Sequence, residues 1–328
     1  MFIAKLRWII LTLAFSLLLW GSYAGLQLGA YLPCYTCCFV QARCGTCFFL
    51  TLQRTLGVCT TSSLSYLGVQ FLIFSGLIMV IGRAWCGWIC PMGFLQDVLD
   101  KVRQWLGIGH VRFSSRLRSR LKIVKWIFLG VAVLLPIWVA FPVLFPSVAL
   151  DLSIPFCQLC PGKYVLPLSV GNPDRIALDF ESATRVVMSG LGLTFSIMLI
   201  LGALVKRRFW CPYCPLGLVL SWYRKISALK LKKDASKCTH CEICYNVCPV
   251  EIEEVFKEKE RKDVTFQNCT LCLKCIEHCP EEDALSAKYL GATIYHSTNK
   301  GFFKRHSSPI EPETLEERAQ ETTFHLGW

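Results

Sequence analysis

Charge is what this chain has least of. Asp, Glu, Lys and Arg make up 18% of its 328 residues, against about 25% in soluble domains. Hydrophobic residues make up 53%, and mean hydropathy is +0.44. That excludes an ordinary soluble globule and directs attention to membrane spans first. Acids are scarcer than bases, 23 against 35. No glycine-rich phosphate loop and no nucleophile elbow occurs, so neither nucleotide binding nor serine-type hydrolysis has a motif to rest on. The net charge of +12 would suit nucleic acid only as a basic surface on a soluble module, and none stands out.

Long apolar runs are present instead. Trp8 to Leu28, Leu64 to Ile81, Ile123 to Phe145 and Val187 to Val205 each approach the roughly 20 residues that cross about 30 Å of hydrocarbon. Pro136 and Pro142 predict a kink or an early end in the third. The first run is longer than a signal-peptide core and has no obvious cleavage site, so it is expected to be a retained helix. Nine Lys or Arg lie between Arg83 and Lys125, against only Arg43 and Arg54 between Tyr31 and Ser63. The positive-inside rule then predicts a multi-pass protein of a bacterial or archaeal cytoplasmic membrane with both termini cytoplasmic. The basic loop is also suited to anionic lipid headgroups.

Cysteine is abundant, 20 residues in all. Cys238-x2-Cys241-x2-Cys244-x3-Cys248-Pro249 is followed by Cys269-x2-Cys272-x2-Cys275-x3-Cys279-Pro280. This is the two-cluster ferredoxin run, in which the fourth cysteine of each run serves the other cluster. It predicts one [4Fe–4S] cluster on Cys238, Cys241, Cys244 and Cys279, and a second on Cys269, Cys272, Cys275 and Cys248. Structural zinc is the alternative, but it needs neither the third cysteine nor the proline.

The other twelve cysteines fall into two sets. Cys86 and Cys90 follow the second span, and Cys211 and Cys214 follow the fourth. Four thiolates at one membrane face suit an inner-face cluster; a dithiol, a disulfide-exchange site and zinc are the alternatives. Cys34, Cys37, Cys38, Cys44, Cys47 and Cys59 precede the second span, and Cys157 and Cys160 precede the fourth. The close pairs Cys34/Cys37, Cys44/Cys47 and Cys157/Cys160 suit one or more outer-face clusters, whereas the compartment favours disulfides. Trp85, Trp88 and Trp210 are expected as interfacial anchors. His240 and His278, at non-ligand positions, are expected on the surface or in packing, and His110 in a loop. Asp97 and Asp100 are expected at helix ends or on the surface, with quinol proton handling as the less favoured role.

Each membrane half repeats a span, a cysteine loop, a span and a Cys-Pro motif, Cys86-Gly-Trp-Ile-Cys90-Pro91 in one and Cys211-Pro-Tyr-Cys214-Pro215-Leu-Gly217 in the other. Motif order and the ferredoxin pair resemble the NapH/NosR family of membrane ferredoxin-type proteins over roughly residues 1–290. The resemblance implies quinol-linked electron carriage through the membrane to or from periplasmic reductases, with Cys86, Cys90, Cys211 and Cys214 as membrane-adjacent redox cysteines. Two features depart from that pattern: the second inner motif has two residues between its cysteines instead of three, and the outer loops are unusually cysteine-rich. Leu290-Gly291-Ala292-Thr293 lacks the Ser or Asp of a flavinylation motif, so covalent flavin is not expected.

The expected fold is an α-helical integral membrane protein. It has four transmembrane helices in two pseudo-repeated pairs (residues 1–233), a C-terminal cytoplasmic 2[4Fe–4S] ferredoxin domain of α+β type (234–290, joined by a basic helical linker from Trp222 to Lys233) and a polar tail (291–328). The expected function is an electron-transfer subunit of a membrane oxidoreductase complex, relaying single electrons between a cytoplasmic donor or the quinone pool and an extracytoplasmic redox partner. One to three further iron–sulfur clusters and a quinone are the remaining expected cofactors. Two alternatives stay open: a quinol dehydrogenase in its own right, and an assembly factor for a metalloenzyme.

Overall fold

The spans are where apolar side chains point outward. Leu72 in one helix, Ile127 and Leu134 in a second and Leu201 in a third are all exposed, a surface that lipid, and not water, solvates. The computed structural model describes residues 2–21, 47–58, 61–140, 154–169, 171 and 182–306. Its first part runs α1 (Phe2–Leu19), α2 (Phe48–Val58), α3 (Thr61–Ile81), α4 (Ala84–Trp88), α5 (Pro91–Trp105) and α6 (Ser115–Ala140). The second part runs α7 (Pro155–Leu159), α8 (Gly162–Ser169), α9 (Ala183–Val205) and α10 (Pro215–Trp222).

Three described helices are long and apolar enough to cross a membrane: Leu64–Ile81, Arg116–Ala140 and Ala183–Val205. The first expected span, Trp8 to Leu28, is described only as far as Gly21. Its helix α1 starts earlier than expected, at Phe2, and so carries Lys5 and Arg7 inside it. Pro136 sits within α6 without ending it, while Pro142 lies outside the described residues.

One turn recurs three times. Cys90 (φ −59°, ψ 120°), Cys160 (φ −67°, ψ 124°) and Cys214 (φ −64°, ψ 123°) share an extended backbone, and each is followed by proline. Proline has no N–H to lose at a helix start and its fixed φ suits the first turn. The Cys-Pro dipeptide therefore aims each cysteine at the N-terminal end of a helix.

The C-terminal unit adds β1 (Leu229–Lys233), α11 (Ile243–Asn246), α12 (Glu254–Lys257), α13 (Lys274–Glu277), β2 (Leu285–Tyr289), β3 (Ala292–His296) and α14 (Asn299–His306). The strands form one antiparallel sheet in the order β1-β2-β3. The linker expected to be helical is thus partly a strand. Leu229 and Leu231 face the core while the lysines between and after them alternate, the period-two pattern of a half-buried strand. The sheet draws on residues on both sides of the expected limits at 234 and 290. The polar tail is described only as far as His306.

Candidate metal centres

In the C-terminal unit the two cysteine runs fold alike. His240 and Glu242 in the first, and Leu271 and Leu273 in the second, all adopt left-handed backbone (φ 57°, 59°, 48° and 60°). These are the second and fourth residues after Cys238 and Cys269. L-residues rarely adopt this conformation, and here it curls each run round a centre. One small void of about 20 Å³ is lined by Cys238, Cys241, Cys244 and Cys279. Another of about 20 Å³ is lined by Cys248, Cys269, Cys272 and Cys275, and by Cys244 as well. The fourth cysteine of each run therefore stands with the first three of the other. Burial, then the neighbouring thiols, pushes Cys244 up to about 12. His240 is turned away, its Nδ1 2.8 Å from the Phe256 carbonyl.

In the membrane part, Cys86, Cys90, Cys211 and Cys214 converge. Burial, followed by Cys86 and Cys211, pushes the Cys90 thiol up to about 12, and burial raises Cys214 well above the thiol range, with Cys86, Cys90 and Cys211 adding to it. Such thiols stay protonated unless a positively charged centre takes their protons' place. Among the described residues no three Cys, His, Asp or Glu side chains are close enough to share one bare ion. Four buried thiols around one void match in number and type the donors that a [4Fe–4S] cluster takes.

The expected separation of inner and outer cysteines does not hold for the described ones. Cys47, Cys157 and Cys160 line the same cavity of about 130 Å³ as Cys86, Cys90, Cys211 and Cys214. The physical reason is that the short helices α2 and α7 pack among the spans. Phe49 of α2 meets Phe156 of α7 at 5.2 Å, and Phe156 meets Phe128 of α6 at 6.0 Å. Phe48 stacks on Phe74 at 4.6 Å. These rings bury the cysteine loops instead of leaving them at the surface. Cys34, Cys37, Cys38, Cys44 and Cys59 lie outside the described residues.

Charge organises this site in a way the sequence did not announce. Asp97 is buried between Arg7 of α1 and Arg208, whose Nε and Nη2 donate to Asp97 at 2.9 and 2.8 Å. Burial raises the Asp97 carboxyl, but the Arg208 charge and hydrogen bonds and then Arg7 overcome it and bring it down to about 2. The two arginines also hold the cysteine motif. Arg208 Nη1 donates to the Cys86 carbonyl at 2.9 Å and Arg7 Nε to the Gly87 carbonyl at 2.8 Å. Asp97 is thus neither a surface nor a capping residue. Asp100 takes an ordinary role, accepting from Arg103 and Gln104. The tryptophans also differ from expectation: Trp85 and Trp210 are buried in the core.

Arg83 is the counterpart of Arg208. Arg83-Ala-Trp-Cys86 and Arg208-Phe-Trp-Cys211 share one spacing, a signal that was readable but carries no charge partner with it. Arg208 packs over Gly93 of the first motif and Arg83 over Gly217 of the second. Asp97 stands seven residues after Cys90, whereas Ser221 stands seven after Cys214. Arg83 lines the shared cavity, is only 3% exposed, and its Nε and Nη1 meet no acceptor among the described residues. A buried guanidinium needs compensation, and the anionic sulfurs of a bound cluster would supply it. We expect Arg83→Gln to lower the midpoint of one membrane cluster by at least about 59 mV, tenfold in a one-electron equilibrium. An EPR redox titration measures this; an unchanged midpoint would mean that Arg83 only packs.

The ferredoxin unit is seated directly on this site. Trp88 Nε1 donates to the Leu271 carbonyl at 2.9 Å. A Cβ on Gly87 would lie 2.4 Å from the Thr270 carbonyl oxygen and 3.3 Å from Cys272 Cα. Buried Glu251 is gripped from the membrane part by Lys206 and by His110 at 3.0 Å, and Arg118 donates to its carbonyl at 2.6 Å. The Cys269–Cys275 loop therefore faces the membrane cysteines, and the Cys238–Cys244 loop is the distal one.

These features define a class: a membrane iron–sulfur protein of electron transport, with a ferredoxin-type two-cluster domain docked on cysteine motifs between apolar helices. Family models agree. A 4Fe-4S binding domain matches residues 66–109 and 188–234, and a 4Fe-4S dicluster domain matches 230–280. Relatives include an uncharacterized protein of Methanocaldococcus jannaschii, 26% identical over 76% of this chain and 89% of that protein. The ferredoxin-type protein NapH of Haemophilus influenzae is 26% identical over 61% of this chain and 60% of its own length. The regulatory protein NosR of Pseudomonas aeruginosa is 25% identical over 60% of this chain and 24% of its own. In its matched domains and in these relatives the chain is similar to NapH/NosR-type membrane ferredoxin-type proteins. It spans less than two thirds of the length of these NapH and NosR relatives. No solved structure matches it.

Proposed function

We propose that this chain is the electron-transfer subunit of a membrane redox complex, passing single electrons between a cytoplasmic donor or the quinone pool and an extracytoplasmic partner. Cys238, Cys241, Cys244 and Cys279 would hold one [4Fe–4S] cluster, Cys269, Cys272, Cys275 and Cys248 a second, and Cys86, Cys90, Cys211 and Cys214 a third. A bound cluster supplies one-electron chemistry without moving heavy atoms. The protein supplies the rest. The Phe49, Phe128, Phe156 and Trp210 rings exclude water, and Arg7, Arg208 and Asp97 fix the short helix α4 that carries Cys86.

The observation that carries this reading is the seating of Gly87 and Trp88 on the Thr270–Cys272 loop. It puts the Cys272 backbone against the helix that carries Cys86, the kind of contact a relay between the two cysteine sets needs. Placement of both termini in the cytoplasm rests on the basic residues between Arg83 and Lys125 and the positive-inside rule. Iron and acid-labile sulfide on anaerobically purified protein test the reading. At least about twelve irons per chain are expected, four per cluster. Replacing Cys211 with serine should remove about four of them and one EPR signal. About eight irons in the unaltered protein would leave only the ferredoxin pair and sink the relay through the membrane site.

A further inference from the structure

Two buried glutamines make the same three contacts in two places. Gln96 of α5 donates from Nε2 to the Met92 carbonyl at 3.0 Å and to Cys211 Sγ at 3.6 Å, while its Oε1 accepts from the Trp210 N–H at 2.8 Å. Gln53 of α2 donates from Nε2 to the Phe49 carbonyl at 2.9 Å and to Cys157 Sγ at 3.2 Å, while its Oε1 accepts from the Phe156 N–H at 2.9 Å. Both are fully buried. In each case the glutamine bonds the carbonyl four residues before it, the N–H just ahead of a Cys-x2-Cys pair, and the first sulfur of that pair.

The sequence frame repeats as well. Gln53 stands six residues after Cys47, and Gln96 six after Cys90. Cys157-x2-Cys160-Pro161 matches Cys211-x2-Cys214-Pro215, and Cys160 and Cys214 share their backbone conformation. An aromatic residue, Phe156 or Trp210, precedes each pair, and both rings pack on Phe128. Both assemblies open into one cavity. A buried amide bonded to a sulfur and to the loop beside it fixes where that sulfur points, and an N–H on a cluster sulfur raises the cluster's potential.

We propose that Cys47, Cys157 and Cys160 belong to a second membrane iron–sulfur site, built on the same plan as that of Cys86, Cys90, Cys211 and Cys214 and sharing its chamber. Gln53 and Gln96 are the positioning residues of the two sites. The matched family domains, residues 66–109, 188–234 and 230–280, leave the Gln53 assembly unassigned. The inference rests on the reading of the Cys86 set as a cluster site. It adds a second redox centre and makes the membrane part a pair of adjacent centres.

The test compares the unaltered chain with Gln53→Glu, Gln53→Met, Cys157→Ser and Gln96→Met by iron content and EPR redox titration. Gln53→Glu keeps the acceptor for the Phe156 N–H and removes the donor to sulfur. About sixteen irons are expected in the unaltered chain. The Gln53 variants should move one signal to lower potential, Cys157→Ser should abolish that same signal with about four irons, and Gln96→Met should move a different one. The ferredoxin-pair signals in the same chain report folding in every variant. About eight irons in the unaltered chain would overturn the underlying reading itself. About twelve irons, with the Gln53 and Cys157 variants leaving every signal in place, would overturn this inference alone. Gln53 and Gln96 variants moving the same signal would overturn it too, by showing a single shared cluster.

Discussion

Replacing Gly87 with alanine will uncouple the ferredoxin unit from the membrane cysteines. Within helix α4 the change should be favourable, since alanine is the better helix former by about 1 kcal/mol. Its methyl group, however, would stand 2.4 Å from the Thr270 carbonyl oxygen and 3.3 Å from the Cys272 backbone. Both obstacles are main chain and cannot rotate away, so the Thr270–Cys272 loop must retreat. The Trp88 hydrogen bond to Leu271 goes with it. Each cysteine set is held by its own loop and helices, so iron content should stay the same. Rapid-freeze EPR after mixing with reduced viologen should show the ferredoxin signals appearing as before and the membrane signal lagging several-fold behind the unaltered protein. Unchanged timing in a fully loaded variant would show that electrons do not pass at this contact.

Asp97→Ala is expected to have the largest effect on stability. It leaves Arg7 and Arg208, at 1% and 0% side-chain exposure, without their shared carboxylate. Breaking a buried pair from one side costs about 3–5 kcal/mol, and here two cations are stranded. Detergent-solubilised variant should lose helix signal at a lower temperature and return with less membrane-site iron. Asp97→Asn, which keeps the shape and part of the hydrogen bonding, should fall between. The pH dependence has a definite sign. The Asp97 carboxyl lies at about 2 in the folded chain against 3.8 as its ordinary value, so its contribution is complete above about pH 4 and is lost as pH falls through about 2. An acid titration of the helix signal should lose this component in Asp97→Asn. If the unaltered chain and Asp97→Asn trace the same curve, the ion pair contributes nothing to stability.

The reach of the sequence differs element by element. The ferredoxin-type domain was legible, because a 4Fe-4S run imposes a cysteine spacing within ten or so residues, and a dicluster domain matches residues 230–280. The apolar spans were legible because a helix in lipid must be apolar along its length. The strand at Leu229–Lys233 shows its alternation in the sequence, yet the basic stretch reads equally as a helix, since five residues satisfy either pattern poorly. The glutamine repeat and the paired Arg-x-Trp-Cys segments were present as spacings, but nothing local distinguishes them from chance.

The sequence by itself determined the ferredoxin-type cysteine runs, the Cys-Pro helix starts and the long apolar stretches. Each of these is fixed by bonding or solvation acting over a few neighbouring positions. Only the tertiary structure decided which of them act together. Arg7 reaches Asp97 across 90 positions and Gln53 reaches Cys157 across 104. Cysteines expected a membrane thickness apart line one chamber. Buried charge and buried amide groups must find partners wherever the packing of distant helices brings them, and that pairing has no local period for a sequence to display.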